Sequence, residues 1–132
     1  MNEQHATTPQ ANILIVDDAL TNLQLLRTLL SGCGYTVRAA RDGAFALNSA
    51  RLCAPDLILL DVEMPGMSGY EVCKELKADE RTRHIPVIFI SARDDDPREK
   101  ARAFAAGGID YIIKPFHIDD VVARVAATIT NR

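Results

Sequence analysis

Ile13-Leu14-Ile15-Val16-Asp17-Asp18 is a short, unbroken apolar run that stops abruptly on two acids. A half-exposed strand would alternate apolar and polar side chains, whereas a run apolar at every position suits a strand covered on both faces. The same shape returns at Leu57-Ile58-Leu59-Leu60 before Asp61, at Val87-Ile88-Phe89-Ile90 before Ser91, and at Tyr111-Ile112-Ile113 before Lys114. A more mixed run stands at Tyr35-Thr36-Val37-Arg38-Ala39-Ala40.

Helical patterns separate the runs. Leu20, Leu23, Leu26, Leu29 and Leu30 share one face at three-and-four spacing, and Gly32 and Gly34 close that helix. Ser68 with Glu71 three residues on is a capping box that starts another, with Val72, Cys73 and Leu76 inward. Asp96-Pro97-Arg98-Glu99 starts a third, ended by Gly107-Gly108, and Val121, Val122, Val125 and Ile129 mark a last one. Strand and helix thus alternate five times, which predicts an α/β fold: a doubly wound five-stranded parallel sheet in the flavodoxin-like order 2-1-3-4-5, with helices on both faces.

The bulk composition fits one soluble domain of 132 residues. With 25% charged residues and a formal charge of −3, the chain lacks the clustered basic footprint of a nucleic-acid binder. No apolar run approaches the ~20 residues that cross a bilayer, and no signal-peptide pattern opens the chain, so a cytoplasmic protein is expected. Cys33, Cys53 and Cys73 form no Cys-x-x-Cys pair and are read as buried or half-buried thiols. His5, His84 and His117 share no motif and read as surface residues, Asp94-Asp95-Asp96 as a solvated helix start, and Met64 and Met67 as packing around a Pro-Gly turn.

Parallel strands bring their carboxyl ends to one edge, where open α/β folds place ligands. In the predicted order Asp17 and Asp18 end strand 1, and Asp61 ends its neighbour roughly 5 Å away. Three carboxylates so close repel one another, and a divalent cation is the natural remedy. Oxygen-only ligands suit magnesium. Lys114, roughly 10 Å from Asp61 between backbones, can reach back across the gap. A cation and an ammonium flanking Asp61 make an anion receptacle suited to a phosphoryl group, with Asp61 as the nucleophile. Ser91 would donate a hydrogen bond to the phosphoryl oxygens, and Ala92 would leave room beside them and offer its backbone N–H.

A single strand-end acid is usually only the cap of the next helix. Coincidence on four strands is what argues for chemistry. In combination, Val16-Asp17-Asp18, Asp61-Val62-Glu63-Met64-Pro65-Gly66-Met67-Ser68-Gly69, Ser91-Ala92 and Asp110-Tyr111-Ile112-Ile113-Lys114-Pro115-Phe116 resemble the receiver domains of two-component response regulators. The resemblance runs from about Asn12 through the last helix, giving a flexible tail at residues 1–11 and a receiver domain at 12–132.

It implies that Asp61 accepts a phosphoryl group from a histidine kinase or a histidine phosphotransfer protein. Asp17, Asp18 and Asp61 would organise Mg2+ with the backbone carbonyl of Glu63. Ser91 matches the switch hydroxyl, Tyr111 the switch aromatic, Lys114 the family's lysine, and Lys114-Pro115 its cis bond. Phosphate on Asp61 would turn Ser91 toward it and swing Tyr111 inward, reshaping the surface of the fourth helix, fifth strand and fifth helix for an output domain or partner protein. The family pattern also admits a phosphorylation-dependent dimer. Such a domain is a phosphoacceptor switch, not an enzyme with its own substrate, although it assists its own phosphorylation and dephosphorylation. Ser91 stands where Thr is commoner. Gly107-Gly108 stands where Gly-Ala is more usual, which predicts a looser turn, and Glu63 adds a negative group near the phosphoacceptor.

Three rival readings fit less well. A haloacid-dehalogenase-type enzyme would carry its nucleophile on the first strand in an Asp-x-Asp pattern. A receiver-like module independent of phosphate has no use for the full set of acids, hydroxyl and lysine. A nucleotide-binding domain would follow its first strand with a glycine-rich loop, where this chain has Asp17-Asp18-Ala19. With no helix-turn-helix, cyclase or phosphodiesterase segment present, the expectation is a stand-alone receiver or a fragment of a larger signalling protein.

Overall fold

A computed structural model describes residues 11–92 and 96–131. Its elements alternate as predicted: β1 (Asn12–Val16), α1 (Leu20–Gly32), β2 (Thr36–Ala40), α2 (Gly43–Leu52), β3 (Leu57–Asp61), α3 (Gly69–Lys77), β4 (Val87–Ser91), α4 (Pro97–Ala105), β5 (Asp110–Ile113) and α5 (Ile118–Asn131). All strand pairs are parallel, in the order β2-β1-β3-β4-β5.

The continuous apolar runs are explained by two cores, one on each face of the sheet. Leu14, Val16, Ile58, Leu60, Val87 and Phe89 point toward α2, α3 and α4, meeting Leu47, Val72, Leu76 and Ala103. Their neighbours in sequence, Ile13, Ile15, Leu57, Leu59, Ile88 and Ile90, point toward α1 and α5, meeting Leu26, Leu30, Val121 and Val125. Successive strand residues serve opposite faces. A polar residue inside β1, β3 or β4 would therefore be buried on whichever side it fell.

Local signals set the helix ends. Ser68 Oγ accepts from the Glu71 N–H at 3.3 Å while Glu71 Oε1 accepts from the Ser68 N–H at 2.8 Å, so the capping box forms. The Asp96 carboxylate caps α4 by accepting from the Arg98 N–H, with Pro97 at the first helical position. Gly34 and Gly107 take positive φ, 99° and 111°, as the turns after α1 and α4 require. Met64 and Met67 pack onto the core, and His84 and His117 are exposed.

Several expectations are corrected. Cys33 and Cys53 are exposed and only Cys73 is buried, because the first two sit at helix ends that the general burial habit of cysteine does not foresee. Leu20 opens α1 at 50% exposure instead of joining its apolar face. The Gly107-Gly108 turn is tight, not loose: a Cβ on Gly108 would lie 2.5 Å from the Phe89 ring. Ala11, assigned to the tail, is buried, and its carbonyl accepts from the Thr36 N–H. Residues 1–10, which include His5, and Asp94 and Asp95 lie outside the described residues. No helix among the described residues is long and apolar enough to cross a membrane.

Candidate phosphoacceptor site

The register places the chemistry at one edge. Val16 pairs with Leu60 between β1 and β3, so Asp17 and Asp61 emerge side by side. Asp61 pairs with Ile90, and Ser91 with Ile113, so the hydroxyl and the lysine follow in turn. The backbone continues this knitting past the strand ends. Val62 N–H donates to the Ile90 carbonyl, and Lys114 N–H to the Ser91 carbonyl.

Asp17, Asp18 and Asp61 each offer a carboxylate oxygen within 4.8 Å of the others. Asp17 and Asp61 are buried, at 1% and 2% exposure, and Asp18 is the more open of the three. The Lys114 ammonium reaches Asp61 Oδ1 at 3.2 Å and Asp17 Oδ2 at 3.4 Å. Asp17 is further held by the Ala19 N–H on Oδ1 and the Asn22 side-chain amide on Oδ2. The Glu63 N–H reaches Asp61 Oδ1 at 3.4 Å, while the Glu63 side chain is exposed.

Burial raises the Asp61 carboxyl to about pKa 6, the Asp17 charge adds to the rise, and Lys114 opposes it. Burial also works against the Lys114 charge, but Asp61 and Asp17 together outweigh it and hold its pKa above the ordinary lysine value. The cluster therefore carries more negative charge than one lysine balances. A divalent cation among these oxygens is the arrangement the donor set favours.

Ser91 is fully buried between Asp61 and Lys114, and Tyr111 is 5% exposed. The expected inward swing of Tyr111 thus meets a ring already packed inward. Ala92 is exposed and lines a shallow hollow with Asn22, Leu25, Lys114, Pro115 and Phe116, beside the acids. The Lys114-Pro115 peptide is cis. A larger hollow of about 660 Å³ lies at the opposite end of the sheet, lined by Pro55, His84, Ile109 and Thr128. That hollow is remote from the acids and takes no part in their chemistry.

A family model described as the response regulator receiver domain matches residues 13–126, nearly the whole described fold. The chain belongs to that family. Its relatives include the response regulator PleD of Caulobacter vibrioides, 46% identical over 112 residues, which cover 85% of this chain and 24% of PleD. The DNA-binding response regulator MtrA of Mycobacterium tuberculosis is 38% identical over 120 residues, covering 91% of this chain and 51% of MtrA. The chain therefore spans about a quarter of one of these curated relatives and about half of the other. Among solved structures, the receiver domain of a sensor histidine kinase from Pseudomonas aeruginosa superposes with a TM-score of 0.85 at 30% identity, covering 92% of this chain and 99% of that one. That structure holds a magnesium ion coordinated in its active-site cleft.

The receiver domain is a regulatory phosphoacceptor module of two-component signal transduction, and its acidic cluster fits that role. All the strand-end residues singled out from sequence converge here. Asn22 was missed. It lies five residues beyond Asp17, and one helical turn of α1 carries its amide back onto the Asp17 carboxylate. A polar residue inside the first turn of a helix that follows an acid was the only signal available.

Proposed function

We propose that Asp61 is the phosphoacceptor, taking its phosphoryl group from a histidine kinase or a histidine phosphotransfer protein. An Asp61 carboxylate oxygen forms the new bond to phosphorus. The phosphorus–nitrogen bond of the donor imidazole breaks, and its electron pair takes up a proton. The observation that carries this reading is the Lys114 ammonium, 3.2 Å from Asp61 Oδ1 and shared with Asp17. It stands where the charge of an incoming phosphoryl group must be neutralised.

Asp17, Asp18 and Asp61, with the Glu63 carbonyl, would hold magnesium. When bound, magnesium supplies positive charge to the phosphoryl oxygens. Ser91 donates its hydroxyl to the phosphoryl group, and the Ala92 N–H faces the same oxygens. Tyr111, already packed inward, is held there by the phosphorylated state. The reshaped face of α4, β5 and α5 passes the signal to an output domain, a partner protein or a second copy, in the cytoplasm. In this reading the domain runs from Ala11, whose carbonyl is tied to β2, through α5.

Beryllofluoride, a phosphoryl mimic, gives a direct test. With magnesium present, fluorine NMR should show one protein-bound species in wild type and none in Asp61→Asn. Equal binding by both proteins would place the acceptor elsewhere.

A further inference from the structure

Helix α3 begins directly against the phosphoacceptor's own backbone. The Gly69 N–H donates to the Val62 carbonyl at 2.8 Å, and a Cβ on Gly69 would stand 2.2 Å from the Asp61 carbonyl oxygen. Nothing larger than glycine fits, so a shift of the Asp61 peptide is a shift of the start of α3. Tyr70 is the next residue.

The Tyr70 ring is 3% exposed, with its centroid 5.2 Å from that of Phe89. Its hydroxyl donates to Glu99 Oε1 at 2.7 Å, with the Glu99 carbonyl oxygen at 3.2 Å, and the Arg102 guanidinium lies 4.6 Å over its ring. Burial, then the Glu99 carboxylate, keep this hydroxyl protonated and a donor. Glu99 and Arg102 both belong to α4, whose only buried residue is Ala103. A helix anchored by one small apolar side chain depends heavily on its polar attachments.

We propose that Tyr70 is a positioning residue of the switch, carrying displacement of the Asp61 peptide to α4 through Glu99 and Arg102. This rests on the reading of Asp61 as phosphoacceptor. A phosphoryl group brings ≈ −1.5 to −2 of charge to a site already crowded with acids. The β3–α3 connection adjusts around it, Tyr70 moves with the start of α3, and its hydroxyl redirects the first turn of α4. Ser91 would then reach α4 from one side and Tyr70 from the other.

Hydrogen exchange across Pro97–Ala105, with magnesium and with or without beryllofluoride, tests the proposal. Tyr70→Phe keeps the ring and removes the hydroxyl donor. It should speed exchange in α4 about fivefold without the mimic, leave the sheet and α1 unchanged, and shrink the response of α4 to the mimic. Glu99→Ala should reproduce this, whereas Glu99→Gln retains an acceptor and should track wild type. Unchanged α4 exchange in Tyr70→Phe, or an equal rise throughout the chain, would overturn the proposal. Absence of bound fluoride in wild type would instead overturn the phosphoacceptor reading, and the coupling with it.

Discussion

Lys114 and Asp61 face one another with 3.2 Å between Nζ and Oδ1, and the same ammonium lies 3.4 Å from Asp17 Oδ2. One cation thus serves two buried acids. Lys114→Met leaves both without it. Urea unfolding at neutral pH without magnesium should show a loss of about 1–2 kcal/mol, held below the cost of a fully buried pair because Lys114 is partly solvated. Magnesium should restore part of the loss. Unchanged stability would mean that Lys114 is not the counter-ion of this pair.

Asn22 donates to the same Asp17 oxygen that Lys114 shares. If a phosphoryl group on Asp61 engaged Lys114 as proposed, Asn22 would remain to fix the Asp17 carboxylate. Asn22→Ala should weaken magnesium about tenfold in isothermal titration, the scale typical of outer-shell partners. The maximal phosphorylation rate at saturating magnesium should be nearly unchanged. An affinity equal to wild type would remove Asn22 from the site.

The raised carboxyl of Asp61 fixes the sign of a pH effect. Its pKa moves from 3.8 to about 6 on folding, so the neutral form is favoured in the native state. The resulting stability is fully present below about 3.8 and lost as pH rises through about 6. Without metal, wild type should therefore lose stability relative to Asp61→Asn across that window and run parallel to it above. Paired urea titrations over pH measure this. A difference that grows with pH in favour of wild type would contradict the burial of an unbalanced acid.

Cysteine reactivity should sort by position. Burial pushes the Cys73 thiol up to about 11, whereas Cys33 and Cys53 are exposed. Iodoacetamide should label Cys33 and Cys53 in the folded protein and reach Cys73 only after unfolding, as peptide mass spectrometry reads directly. Labelling of native Cys73 at the rate of the other two would show that α3 opens readily from the sheet.

The strands and their order were legible because both faces of this sheet are covered. Ile13, Ile58 and Ile88 must be apolar whichever way they point, and that constraint leaves an unbroken run. The strand-end residues were legible for the same reason, since Asp17, Asp61 and Ser91 interrupt apolar runs where a parallel sheet gathers its ends. Asn22 and Tyr70 were not, because a helix disperses its neighbours over every third or fourth residue and one amide or phenol makes no pattern. The exposed Cys33 and Cys53 were misread because burial habit belongs to a residue type, while exposure depends on where a helix stops.

The most direct measurement is intact-mass spectrometry of the magnesium-loaded protein after exposure to a small phosphodonor such as acetyl phosphate. Wild type should gain one base-sensitive phosphoryl group, and Asp61→Asn none. Equal uptake by the two proteins would contradict Asp61 as the phosphoacceptor.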